Sequence, residues 1–573
     1  MDERKRALNR RRFIVGLSAA GISSPFMPGA LAAVAQDADL VTVDMLETAQ
    51  RIAGLDFTEG ELAAIAARLN RPGADRNDFE TLRAAGLGNA TQPALVFNPV
   101  PPAMRLPTER RPMRRSEMAV EMPTSDEALA FLPLTHLARL IETRQLTSTE
   151  LTRLYLERLR RYDPMLRCVV TVTEELARQQ ARRADEEIAA GTYRGPLHGI
   201  PWGAKDLLAV RGTRTTWGAS PYREQVIDTD ATVYTRLRDA GAVLVAKLSM
   251  GALASGDRWF GGRARNPWNP GQGASGSSAG PGAATAAGLV GFSIGTETRG
   301  SIISPSTRNG VTGLRPTFGR VSRHGAMALS WSMDKIGPMC RGAEDCALVL
   351  DAIHGPDGHD NSLLDVPFNW DAGRDLRELK VGYLRAEFDQ DIPENPQNPD
   401  LAAGRRQRLS NARASLQAIR GLGITVEPFD LPELPSGALG FILGTEAAAA
   451  FDVETLDGAL DGMRQPPEES RWPDSFRASR FVPAVEYLQA NRLRMRVIEE
   501  LHEALGDLDL FLGSDLGLTN LTGHPEVSLP NGFFRGSPTS LRMTGKLFGE
   551  AELLRLAHAY QGATEYHLAH PAL

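Results

Sequence analysis

The stretch that decides the reading is residues 271–316, GQGASGSSAGPGAATAAGLVGFSIGTETRGSIISPSTRNGVTGLRP. Its density of Gly and Ser suggests a flexible linker at first sight. A linker, however, has no buried strand. Here Val290-Gly-Phe-Ser-Ile294 is a short apolar run of the kind that crosses a core. It leads straight into Gly295-Thr-Glu-Thr-Arg-Gly-Ser301, so hydroxyl groups and glycines sit at the end of a strand.

Three kinds of chemistry compete for this stretch. A phosphate-cradling loop would need Gly-Lys-Ser/Thr at the start of a helix, which is missing. A nucleophile elbow matches Gly276-Ser-Ser278-Ala-Gly280 as G-x-S-x-G, but it requires a hydrophobic strand running into the turn. Upstream stands Asn266-Pro-Trp-Asn-Pro-Gly-Gln-Gly273, which cannot be a buried strand. The third reading pairs the serines with a lysine. Lys205 lies among Ile200, Pro201, Trp202, Ala204, Leu207 and Leu208. Such a run can bury a lysine, and burial lowers its pKa toward the neutral form that a base needs. Taken alone, the motif also fits a surface lysine paired with Asp206. No histidine stands in the loop, and His198 and His324 read as structural.

Taken together, the motifs resemble the amidase signature family. They are Gly199-Ile-Pro-Trp-Gly-Ala-Lys205-Asp206, Gly276-Ser277-Ser278, Gly295-Thr-Glu-Thr-Arg-Gly-Ser301-Ile302 and Leu314-Arg-Pro-Thr317, with Thr519–Pro525 and Leu553-Leu-Arg-Leu-Ala557 near the end. The resemblance runs from about residue 125 to the C-terminus. It implies an α/β fold with a large mixed central sheet covered by helices on both faces. It implies catalytic residues Lys205, Ser277 and Ser301, with Ser278 as support and a cis peptide before Ser277. Ser301 would attack an amide carbonyl and Ser277 would relay its proton to Lys205. An oxyanion hole would be formed by the backbone N–H groups of Thr298, Arg299, Gly300 and Ser301. No cofactor and no metal are implied. The implied activity is amide C–N hydrolysis on a small-molecule amide. Two alternatives are an amidotransferase-type subunit that works on charged tRNA and a non-catalytic binding protein on the same scaffold. Two positions depart from the usual pattern: Glu297 replaces Asp, and Arg299 replaces Gly. A buried arginine needs a partner, so Arg299 is expected to brace the turn through a carboxylate or carbonyl, or else to reach solvent in the substrate channel.

The rest of the chain bounds these readings. With 42% hydrophobic and 23% charged residues, the 573-residue chain has ample material for a core. Its 64 basic and 70 acidic residues give a net charge of −6, which argues against nucleic acid as the main partner. The three cysteines, Cys168, Cys340 and Cys346, read as buried apolar residues. Residues 1–35 resemble a twin-arginine export signal: Arg10-Arg11-Arg12-Phe13, an uncharged stretch, then Ala33-Val34-Ala35. A periplasmic or secreted protein cleaved near Gln36 is expected, without stable membrane insertion. Residues 36–98 read as a helical extension, 99–124 as a Pro-rich linker and 125–573 as the amidase signature domain. The stretch 40–124 could serve as a lid, a homodimer contact or a wrapping arm. Helices are expected at 129–146 and 149–162, the latter opened by a Thr147–Glu150 capping box. Strands are expected at 242–246, 290–294, 380–384, 424–427 and 509–512.

Overall fold

The computed structural model describes residues 40–71, 84–464 and 469–573. Residues 1–35, where an export signal is expected, lie outside them. The described residues divide into two compact units, one comprising 40–71 and 84–87 with 481–483 and the other the remainder. In the described part of the first unit, helices Val43–Ala53 and Glu59–Leu69 follow Thr42 and Thr58. Both threonines are N-caps, and Thr58 forms a capping box with Glu61. Asn70 ties the pair by bonding both the N–H and the carbonyl of Val41.

The larger unit is built on an eleven-stranded sheet. Its strands are β1 Val169–Val172, β2 Pro201–Lys205, β3 Val243–Leu248, β4 Phe292–Glu297, β5 Thr312–Arg315, β6 Lys335–Cys340, β7 Val381–Leu384, β8 Val426–Phe429, β9 Leu510–Leu512, β10 Glu526–Phe534 and β11 Ser537–Gly545. They lie side by side in the order β1-β3-β2-β4-β6-β5-β10-β11-β9-β7-β8. β2 runs parallel to both β3 and β4, and β7 runs parallel to both β8 and β9, whereas the pairings from β4 through β6, β5, β10 and β11 to β9 are antiparallel. β2 to β6 are buried along their whole length. A sheet this enclosed needs helices on both faces, and β3 shows both layers. Val243 and Val245 join Leu156, Leu159, Ala177 and Ala283 in one core, while Leu244 joins Trp202, Phe292 and Leu350 in the other.

Most expected elements are present, and the departures have local causes. The helix expected over 129–146 is two helices, Asp126–Ala130 and Leu134–Glu142. Pro133 stands at the break as N-cap of the second, where its missing N–H costs nothing. The next helix, Ser148–Leu166, opens with the expected capping box. Residues 269–273 form an exposed ribbon with Arg265–Asn266, outside the large sheet. The context needed for a nucleophile elbow is therefore missing. Residues 99–124 are irregular but belong to the larger unit: Val100, Met104 and Leu106 pack on Val366, Leu547 and Phe548. Arg110, Arg111 and Arg115 are exposed and paired with Asp365, Glu109 and Glu142. All three cysteines are free and buried. Among the described residues, no helix is long and apolar enough to cross a membrane.

Candidate active site

Parallel neighbours β2 and β4 end side by side, with Ala204 opposite Ile294. Lys205 is the last residue of β2, and β4 leads through Glu297 into the turn of Ser301. The carboxyl ends of adjacent parallel strands are a common place for a ligand site, because strand geometry fixes the side chains while the loops beyond stay free to specialise.

Lys205 is fully buried. Its Nζ donates to Ser277 Oγ at 2.8 Å, Ser278 Oγ at 3.0 Å, Thr296 Oγ1 at 2.8 Å and the Thr296 carbonyl at 3.2 Å. Every acceptor is neutral. Burial lowers the pKa of Lys205 to about 7, against the pull of the Asp334 and Glu297 charges. The neighbouring Asp206 does not pair with it. Asp206 lies 2.9 Å from the equally buried Lys247 and accepts from Thr216.

The Ser277–Ser278 loop is pinned from several sides. The peptide Gly276–Ser277 is cis. Ser278 Oγ accepts from the Thr296 N–H and donates to the Thr296 carbonyl, both at 3.1 Å. A Cβ on Gly295 would stand 2.9 Å from Ser278 Oγ, so only glycine lets the loop approach this closely. The Ser278 N–H donates to the Ser301 carbonyl at 3.1 Å, joining the loop to the turn that carries Ser301. Asn309 holds the loop from behind by donating to the Ala274 carbonyl.

That turn is shaped by Glu297. Its carboxylate accepts from the N–H groups of Ile302 and Ile303, from Asn520 Nδ2 and from Arg315. Burial would raise its pKa, but Arg315 and these N–H groups hold it at about 2. The extra methylene relative to Asp still leaves a carboxylate at the foot of the turn. Gly300 has φ +88°, which a side chain would strain. Thr298 Oγ1 donates to Asp334 at 2.6 Å. Among the described residues, the N–H groups of Thr298, Arg299, Gly300 and Ser301 have no protein acceptor, whereas those of Ile302 and Ile303 do. Four free donors in one turn can serve a developing oxyanion. No hydrogen bond joins Ser277 Oγ to Ser301 Oγ.

Arg299 departs from the brace expected of it. It is exposed and makes no hydrogen bond or ion pair among the described residues. The turn projects its guanidinium past the backbones of Gly440 and Gly517, where water solvates the charge and no buried partner is required. His198 is buried beside Glu187, away from these groups.

Four contributors escaped the sequence reading. Thr296, Arg315 and Asn520 all lie inside quoted motifs, yet their roles depend on facing Lys205 or Glu297. Asp334 had no signal, since it reaches Thr298 only through the fold. Among the described residues, no three His, Cys, Asp or Glu side chains gather as metal ligands.

The comparisons agree with this architecture. The family model described as Amidase matches residues 150–514. The chain is 33% identical over 489 residues to the A subunit of the glutamyl-tRNA(Gln) amidotransferase of Methylococcus capsulatus, covering 77% of this chain and 98% of that protein. The native peptide amidase of Stenotrophomonas maltophilia superposes with a TM-score of 0.64 at 28% identity, over 76% of this chain and 97% of its own. An amidase family protein from Bacillus anthracis shares the fold, with a TM-score of 0.69 at 24% identity over 79% and 95% of the two chains. With Lys205 at the end of β2, Ser301 in the turn after β4, Ser277 in the loop bonded to Lys205 and the match extending along most of the chain, this protein belongs to the amidase signature family.

Proposed function

We propose that this chain cleaves the C–N bond of a carboxylic amide through an acyl-enzyme on Ser301. The observation that carries the reading is Lys205: buried, within 2.8 Å of Ser277 Oγ, and bonded only to neutral acceptors. A serine hydroxyl needs a base, and an amide needs an acid for its departing nitrogen. Lys205, once neutral, takes the proton of Ser277, which takes that of Ser301. Ser301 Oγ attacks the carbonyl carbon, and the free N–H groups of residues 298–301 receive the oxyanion. Ser277 then returns the proton to the leaving nitrogen as the C–N bond breaks. Water attacks the resulting ester, and the acid departs. The Ser277–Ser301 link closes as substrate enters, since catalytic hydrogen bonds tighten in the substrate complex.

Two forms of this activity have support. The likeness to proteins named as amidotransferase A subunits, which spans about three quarters of this chain, favours a subunit role, in which the released amide nitrogen is passed to an acceptor. The twin-arginine-type residues 1–35 and the acidic balance of the chain favour an exported enzyme that hydrolyses small amides alone. Purified full-length chain, assayed without partners on simple carboxamides and anilides, separates them. Release of acid and amine at catalytic rates supports the independent hydrolase. Turnover that requires charged tRNA and partner subunits supports the subunit role, and no turnover under either condition defeats the amide-cleavage reading. Replacing Arg10, Arg11 and Arg12 by Lys should hold active protein in the cytoplasm; unchanged export would remove that part of the proposal.

A further inference from the structure

Next to the Lys205 network lies a cavity of about 360 Å³. Thr296 and Thr298 line it. The first is a hydrogen-bond partner of Lys205, and the second opens the turn of free N–H groups. A molecule in the cavity is therefore one residue away from both the base and the oxyanion donors.

The ionisable side chains that border the cavity are already engaged. Arg323 is held by Asp360 and Ser362, Asp334 accepts from Thr298, Leu329 and Ser330, and Lys335 donates to the Met333 carbonyl. What remains is largely apolar: Leu207, Trp217, Ile227, Met327, Trp331 and Ile336. The imidazole of His324 stacks on His359 at 4.3 Å, and burial together with that neighbour lowers its pKa. A cavity with these walls selects an uncharged, apolar group.

One wall comes from outside the matched family region. Residues 88–92 precede it, and Gly88, Asn89, Ala90 and Gln92 all border the cavity. Asn89 is buried, and its side chain reads both sides of one peptide residue. It accepts from the Ala328 N–H and donates to the Ala328 carbonyl, each at 2.8 Å, and it also donates to the Ala450 carbonyl. Gln92 adds a bond to the His359 carbonyl. A buried amide satisfied on both ends fixes the segment's position.

We propose that this cavity receives an aryl or branched-alkyl group of the amide substrate, and that the wall of residues 88–92, clamped by Asn89, limits its size. The proposal rests on the amide-cleavage reading above and names the substrate class for it. The apolar group can belong to the acyl or to the amine side, and two substrate series tell them apart. One compares acetamide, isobutyramide and phenylacetamide. The other compares acetamide, N-propylacetamide and N-benzylacetamide. The full-length protein should favour the aryl member over acetamide by about tenfold or more in kcat/KM in one series, the scale expected for burying a ring. Ala326 also lines the cavity, and Ala326→Phe, which fills it, should erase that preference while changing acetamide turnover by less than about threefold. Asn89→Ala should blunt the discrimination by size; if Ala326→Phe melts early, Trp331→Ala, which enlarges the cavity, should instead shift the preference toward bulkier groups, and an unchanged ranking would overturn the proposal. Equal rates across both series, or a proportional fall on every amide in the variants, would overturn the proposal. If the folded protein turns over no amide, the catalytic reading fails separately, and the cavity is then tested by equilibrium binding of phenylacetamide. Saturable binding weakened about tenfold by Ala326→Phe upholds the cavity, and absence of saturable binding rejects it.

Discussion

Two lysines, Lys205 at the end of β2 and Lys247 in β3, are both fully buried one strand apart, yet they are built for opposite ends. Lys247 lies 2.9 Å from the Asp206 carboxylate and donates to the Arg214 carbonyl and Thr215. Lys205 has hydroxyls and one carbonyl around it, and no carboxylate within bonding distance. Burial lowers the pKa of both, but the Asp206 charge opposes this directly at Lys247, whereas Lys205 falls to about 7. A buried lysine paired with a carboxylate is suited to brace the fold, and one surrounded by hydroxyls is suited to the role of base proposed for Lys205. The difference is carried by the carboxylate next in sequence to Lys205, which turns away toward the other lysine.

The strongest test of this contrast removes the nucleophile that the base is proposed to serve. Ser301→Ala should lower turnover by about four to six orders of magnitude with the melting temperature nearly unchanged. Lys205→Met should cost about three orders or more. Combining it with Ser277→Ala should add little, because groups acting as one unit are not additive; losses that simply multiply would mean that the two act separately. Lys247→Met should behave differently. It strands Asp206 in the core, so stability should fall by about 3–5 kcal/mol, with turnover per folded molecule largely kept. Chemical denaturation alongside active-site titration measures both quantities.

The pH dependence sharpens the same contrast. If Lys205 works as the neutral amine, kcat/KM should rise with pH through about 7 and hold above it. The stability effect has its own sign. Between about 7 and the ordinary lysine value of 10.5, the unfolded chain binds the proton that the folded chain has released, so folding stability rises with pH across that window. Lys205→Met should therefore gain most over the wild type near or below pH 7 and lose that advantage toward pH 10.5. An advantage that grows with pH would contradict the burial. The smallest effect is expected at Arg299. Being exposed and unpaired, Arg299→Ala should change stability by no more than about 0.5 kcal/mol, and a larger loss would restore the brace.

Sequence carried much of this site, because its chemistry is strung along the chain as ordered motifs. Lys205, Ser277 and Ser301 each sit in a segment whose glycines and apolar flanks are readable. Less legible was whatever depends on direction. Thr296 stands inside a quoted motif, but only the alternation of β4 turns it toward Lys205. Asp334 meets Thr298 because the antiparallel partner β6 begins beside it, and no local pattern announces that. In the fold, apolar runs such as 242–246 declare their strands, whereas β2, reading Pro-Trp-Gly-Ala-Lys, is poor in strand-forming residues and carries no strand signal of its own. Its conformation is imposed by β3 and β4 on either side. The long β10–β11 pair also escaped, since Pro530 and Gly532 interrupt its pattern at an irregularity in the ladder.

The central claim is that Ser301, activated through Ser277 and Lys205, carries the acyl group. Rapid acid quench of the protein during turnover of a slowly deacylated anilide, followed by peptide mass mapping, tests it most directly. The acyl mass should appear on Ser301 alone, accumulate faster as pH rises through about 7, and vanish in Lys205→Met. An acyl group on Ser278, or product formed at full rate with no acylated serine, would contradict the account.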